Sequence, residues 1–353
     1  MRTACRSVRR RPVSETADTA PRAELLRALA HLAEPPGSAH GPLAAALGLP
    51  EPPDAAGYTD LFEFQLYPYA SVHLGAEGML GGEAQGRVAG FWLAVGREVP
   101  PEPDHLASLI GLYVALGEEE VDLTERGAGL APAGDEAAGR VHGRRDEPSG
   151  PVAQAALVAR SRRALLEEHL APWLFPFLVR VEELGGGFHA EWAKMLREAM
   201  AAEIDRHGPL TSPSAHLSAV EELPDPRTAG AKPFLAALLA PARAGAILTR
   251  ADLARIARTL DLGLRAGERR YALEHLIGQD APAILDALAA EVGRQGAGHQ
   301  ERSESIGRAS ELLAARAERT RALLSTLARE AETSEAAWAD AEPASATPGP
   351  RNS

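Results

Sequence analysis

Cysteine is almost absent: Cys5 stands alone among 353 residues. A single thiol excludes an internal disulfide framework and any cysteine-based zinc or iron–sulfur site within one chain. Aromatic residues make up only 5% of the sequence. Long apolar runs are missing; no stretch reaches the roughly 18 residues that a membrane span requires, so no membrane insertion is expected. Positive charge is in deficit, with 37 Lys and Arg against 49 Asp and Glu and a formal net charge of −12. That balance argues against nonspecific nucleic-acid binding and suits basic or neutral partners. No segment alternates apolar and polar residues as a half-buried strand would, so the fold class expected is all-α, and its irregular stops exclude one continuous coiled coil. Hydrolase elbow, phosphate loop and Rossmann fingerprint are likewise missing.

What is present is helical punctuation. The arginines of "RSVRRRP" are followed by polar "VSETADTAPRAE", not by the apolar stretch of an export signal, so residues 1–18 read as a disordered, charged N-terminus on a cytoplasmic protein. Leu25, Leu26, Leu29 and Leu32 share helical spacing after Pro21. Asp54 is placed to cap "AAGYTDLFEFQLY", which Pro68 should end near Tyr67. Gly81-Gly82 admits a tight entry to "EAQGRVAGFWLAVG", and "PPEP" precedes "DHLASLIGLYVALG". Residues 117–150 lack periodicity and read as a long mobile loop. Two helices then break at Pro172 and Pro176. The domain organisation expected is a helical domain over 19–207, a linker at 208–230, a small helical subdomain at 231–298, a charged, partly exposed helix at 299–333 and a disordered tail at 334–353.

The scarce rings are concentrated. Eight of the sixteen Phe, Tyr and Trp residues fall between Tyr58 and Tyr113, and five more between Trp173 and Trp192. Rings most often fill a core where helices meet. Here they also coincide with the breaks at Pro68, Pro172 and Pro176, and a broken helix leaves a groove suited to an apolar segment.

Three stretches carry a resemblance: "LF…PYASVHL" followed by "G.LGGEA", then "PEPDHLASLIGLYVAL", then "EEHLAPWLFPFLVRVEEL". In order and spacing they resemble the TorD/DmsD/NarJ family of cytoplasmic chaperones for molybdenum-cofactor enzymes, over roughly residues 20–205. The resemblance implies an irregular all-helical bundle without catalytic activity; no cofactor and no metal are expected, and no motif of the sequence supports a nucleotide site. It implies as partner a molybdopterin oxidoreductase catalytic-subunit precursor, held by its twin-arginine signal peptide until cofactor insertion. Family members occur as monomers or exchange elements as homodimers. The chain departs from the pattern in reading "LIGL" after the motif, in its long 117–150 loop and in its extension beyond residue 205. On this reading the peptide site comprises Leu61, Phe62, Tyr67, Tyr69, Val72, Trp173 and Phe177 around Pro68 and Ser71. Glu102, Asp104, His105 and Glu118–Glu120 lie nearby, and their acids attract the arginine pair. Asp104 is equally placed to cap its own helix. Glu102 and His105 also have di-iron ligand spacing, but no second such motif exists.

The competing function class is a DNA-binding regulator. "LTRADLARIARTLDLGLRAGERR" resembles half of a helix-turn-helix at 247–270, with Leu253, Ala254, Ala257 and Leu260 as its packing face. Seven arginines face three acids between Arg243 and Arg270.

Overall fold

A computed structural model of the chain describes residues 19–129, 150–208, 210–212 and 214–340. The expected disorder at 1–18, most of that expected at 334–353 and much of the expected loop lie outside the described residues; residues 334–340, expected as the start of the disordered tail, are helical. Among the described residues every regular element is helical, and pairing of strand type is limited to two isolated bridges, Tyr69 with His105 and Leu210 with Gly307. The all-α expectation holds.

The first bundle contains α1 (Thr19–His31), α2 (His40–Leu47), α3 (Ala55–Tyr58), α4 (Ala70–Leu74), α5 (Gly82–Ala94), α6 (Leu106–Gly129), α7 (Pro151–Ala164), α8 (Ala171–Leu184) and α9 (Phe188–His207). Its core is the contact of α1, α6, α8 and α9. Leu26 and Leu29 of α1 share one buried cluster with Leu109 and Ile110 of α6, to which the rings of Phe62, Trp173, Phe177 and Trp192 also belong. The buried indoles donate to backbone, Trp192 to the Leu29 carbonyl at 2.9 Å and Trp173 to that of His169 at 2.7 Å, so burial leaves neither N–H unsatisfied.

Three local expectations change. The helix starting at Asp54 does not reach Tyr67: it widens into a π turn at Thr59–Glu63 and ends there. The break around Pro172 is likewise a π turn, Leu165–Leu170, while Pro176 sits inside α8. Finally, α6 continues twelve residues past Gly117 to Gly129, so the loop cannot begin at 117. Its apolar periodicity stops at Gly117 because the helix leaves the core, not because it ends. The polar part is supported by Arg126–Asp122 four residues apart and by Arg97 on Glu119 at 2.5 Å.

The second bundle holds α12 (Ala231–Leu238), α13 (Pro241–Ala244), α14 (Arg250–Thr259), α15 (Arg269–Ile277), α16 (Ala281–Ile306) and α17 (Arg308–Asp340). Leu238, Leu253, Leu273, Leu276, Ile284, Leu288 and Val292 form its core. The charged helix expected as a partly exposed appendage is instead part of this core: α17 lies along α16 and buries Ala317, Leu324 and Ala328. Small residues permit that closeness: at Gly296 of α16 an added Cβ would stand 2.9 Å from the Ala317 Cβ, and α13 approaches as tightly. Gly245 (φ +71°) abuts the α17 backbone at Leu313 and Ala317, leaving no space for a Cβ.

The 208–230 segment, expected as a linker, carries α10 (Ala215–Ala219) and α11 (Pro226–Ala229) and is docked. Glu168, in the second π turn, accepts from the Ala215 N–H at 2.8 Å, and Leu217 is buried. Farther on, α8 meets the second bundle through charge. Arg180, 4% exposed, donates to both Asp252 oxygens at 2.7 and 2.6 Å and also pairs with Glu183 and, at 3.5 Å, Glu291. Asp252 also completes the capping box of α14 with Thr249.

Candidate functional site

The residues between α3 and α6 are organised by a clamp. The Asp104 carbonyl accepts from Ala70 N–H at 2.9 Å, and the Leu106 N–H donates to the Pro68 carbonyl at 2.8 Å. The buried Asp104 carboxylate accepts from the Ser71 N–H at 3.0 Å and from Gln85 at 3.2 Å. Asp104 therefore caps α4, across the chain, rather than its own helix. The α6 N-terminus is served by His105, whose Nδ1 accepts from the Ala107 N–H at 3.2 Å. Tyr69 packs edge-on against the His105 ring at 4.8 Å and donates its hydroxyl to Glu102 at 3.0 Å. Burial and that carboxylate both raise the Tyr69 pKa. His73 donates to the Tyr67 carbonyl at 2.9 Å and stacks on Trp173 at 5.1 Å; burial lowers its pKa to about 4, so it is neutral at pH 7.

From this clamp the loop 75–82 projects. Gly78 (φ +62°), Gly81 (φ +83°) and Gly82 (φ +67°) give it a path that side chains rarely follow. At Gly78 the backbone lies so near the second bundle that a Cβ would stand 2.8 Å from the Ala240 Cα. The loop holds Met79 and Leu80 in solvent, 66% and 53% exposed, and Phe64 beyond the π turn is 47% exposed. These three side chains line a cleft of about 560 Å³ between the bundles. Val72 and Tyr67 lie on the first-bundle side, with Leu239, Arg250 and Arg269 opposite. Gln65 fixes one edge by accepting from the Ala251 N–H at 3.0 Å.

The sequence-derived site is therefore divided. Tyr67 and Val72 do line the cleft. Leu61, Phe62, Trp173 and Phe177 are at most 6% exposed and belong to the core, because the π turn rotates its apolar side inward against α8. Pro68, Ser71, Asp104 and His105 are buried clamp residues, and Glu102 is occupied by Tyr69. Glu118, Glu119 and Glu120 pair with Arg27, Arg97 and Arg162 of this chain. Phe64, Met79 and Leu80 were missed. For Met79 and Leu80 the signal was an apolar dipeptide set between glycines in "GAEGMLGG", which helical periodicity does not register.

A family model described as nitrate reductase delta subunit matches residues 29–179. Over those residues the chain is similar to the nitrate reductase delta subunit family. That family groups with the NarJ/TorD-type chaperones, which act in molybdoenzyme maturation. The matched stretch contains the clamp and the projecting loop and ends within α8, so the cleft joins matched residues to an extension outside the match. No curated protein and no solved structure matches the chain.

The helix-turn-helix comparison fares differently. Helices α14 and α15 are separated by residues 260–268, against the roughly 3–4-residue turn of that motif. Within the basic segment, Arg255 pairs with Glu291 at 2.9 Å, Arg269 donates to the Leu248 carbonyl, Arg265 to Tyr271 and Arg243 to the Glu222 carbonyl. The buried face of α14 is Leu253, Ile256 and Ala257. No helix of the described residues is long and apolar enough to cross a membrane.

Proposed function

We propose that this chain is a cytoplasmic maturation chaperone that holds an apolar N-terminal segment of a molybdopterin oxidoreductase catalytic subunit, including its twin-arginine leader, until cofactor is inserted. It acts by binding rather than by catalysis. The observation that carries the reading is the cleft walled by Phe64, Met79 and Leu80, three large apolar side chains left in solvent beside the family motif. Exposed apolar side chains gathered in a concave site favour an apolar ligand, because burying each removes surface from water. At the rim, Glu77 and Glu268 are exposed and have no ion-pair partner among the described residues. They replace Glu102, Asp104 and Glu118–Glu120 as the acids that meet an arginine pair.

The test is calorimetry with the leader peptide of a molybdopterin subunit from the same host. Met79→Ser and Leu80→Ser should each weaken binding by roughly 1–3 kcal/mol, as for losing an apolar anchor at a desolvated contact. Equal affinity in both folded variants would remove the cleft from the function.

A further inference from the structure

Many arginines elsewhere in this acidic chain meet acids, as Arg27, Arg97, Arg162, Arg180, Arg197 and Arg294 do, while buried Arg316 has its guanidinium taken up by the Ala242 and Val220 carbonyls. Two arginines of the cleft do not meet acids. Arg250 holds its guanidinium 5.7 Å from the centre of the Phe64 ring, and Arg269 donates to the Leu248 carbonyl at 2.8 Å. Neither has a carboxylate partner among the described residues, and both are half-buried. They also act on one another: burial lowers the Arg269 pKa, and the like charge of Arg250 pushes it the same way. Keeping two like charges close together and partly out of water has a free-energy cost that an internal counter-ion would remove. None is supplied. The other charged groups lining the cleft are Glu77, Glu268 and Arg270, all exposed, with Arg270 at 3.7 Å from Glu274. Solvent screens such exposed charges far more than half-buried ones, so the inner part of the cleft is cationic while its rim is mixed.

The anion that fits is not a bare one. The same cleft is lined by Phe64, against which Arg250 rests, and by Met79 and Leu80, so whatever supplies the negative charge also presents apolar surface. We infer that the cleft selects, within the client polypeptide, an apolar segment bearing an Asp or Glu beside its apolar anchors, with that carboxylate set between Arg250 and Arg269. The inference rests on the reading of the cleft as the client site. Guanidinium groups suit the role, since their fixed fork of donors matches the two oxygens of a carboxylate.

The test uses the full chain and two labelled synthetic peptides of one apolar sequence, differing only in Glu or Gln at a central position, with binding read by fluorescence anisotropy. The Glu peptide should bind about tenfold more tightly, the scale of a charge-assisted hydrogen bond. Arg250→Gln and Arg269→Gln should each bring that ratio towards one, and raising salt from about 50 to about 500 mM should narrow it. Phe64→Ser should weaken both peptides alike. A Glu/Gln ratio of one in the wild type, or a ratio unchanged in both arginine variants with native circular dichroism, overturns the inference. The cleft reading then still stands if Phe64→Ser weakens both peptides. Failure of both peptides to bind removes the cleft reading and the inference together. Binding of inorganic phosphate or a nucleotide that survives Phe64→Ser and displaces the Glu peptide would assign the arginines to a free anion, and so also overturns it.

Discussion

Replacing Arg180 by Met tests what holds the second bundle against the first. Arg180 projects from α8 and is 4% exposed, and its partners Asp252 and Glu291 are 3% and 5% exposed. Methionine fills much of the same space but carries no charge, so packing changes little while two buried carboxylates lose their shared cation. Arg255 and Arg294 remain beside Glu291, at 2.9 and 2.7 Å, and limit the loss there. Asp252 keeps its Thr249 hydrogen bonds but retains only Arg255, at 3.4 Å. Breaking one side of a buried ion pair costs about 3–5 kcal/mol, a large part of the roughly 5–15 kcal/mol that stabilises a typical domain. Burial alone would raise the Asp252 pKa, and Arg180 is the largest influence holding it low instead. Without Arg180 the carboxylate should protonate more readily, so the loss should shrink as pH falls through the carboxylate range. Urea unfolding followed by tryptophan fluorescence measures the loss, with Trp173 and Trp192 reporting on the first bundle. Asp252→Asn combined with Arg180→Met should cost less than the two single changes added together, by about 1–3 kcal/mol. A loss below about 1 kcal/mol for Arg180→Met, or strict additivity in the cycle, would refute the view that this ion pair joins the bundles.

Three further outcomes follow from the geometry. Asp104→Ala should cost about 1–3 kcal/mol in thermal or urea unfolding, because the Ser71 N–H at the start of α4 loses its acceptor, and Asp104→Asn should cost less. Since Asp104 is fully buried, neither change should discriminate between a leader with two arginines and one with two glutamines in calorimetry. Gly78→Ala should cost about 1–3 kcal/mol through its positive φ and should also weaken leader binding, since the added Cβ pushes the loop away from Ala240. His73, His169 and His299 are kept neutral by burial, with pKa values lowered to about 4, about 3 and about 4. The unfolded chain takes up protons at these positions below pH about 6.5, and the folded chain does not. Their contribution is therefore full above pH about 6.5 and is lost as pH falls towards about 4, each costing about 1.4 kcal/mol by pH about 5.5 in denaturant titrations.

Much of the fold was legible because it follows from spacing. Leu26 and Leu29 in α1 and the run from Leu106 to Leu116 in α6 announce buried helical faces, and the glycines and prolines mark most stops. The π turns at 59–63 and 165–170 were not legible, since one extra residue per turn leaves composition unchanged while rotating every later side chain. That rotation carried Phe62, expected to line a ring groove, into the core and left Phe64 outside. Tertiary pairing was equally hidden: Glu118–Glu120 read as free acids until Arg27, Arg97 and Arg162 arrive from distant helices. Likewise α17 looks too charged for a core, yet a stripe of Ala317, Leu324 and Ala328 suffices against α16.

Site-specific photocrosslinking during co-expression with the molybdopterin subunit of the same host tests the central claim most directly. A photoreactive amino acid is placed in turn at Met79, Leu80, Leu93 and Leu157, all exposed apolar positions, of which only the first two line the cleft. Positions 79 and 80 should crosslink to the N-terminal segment of the precursor, and positions 93 and 157 should not. Crosslinks from 93 or 157 as strong as those from the loop, or none from 79 and 80 when the complex co-purifies, would contradict the account.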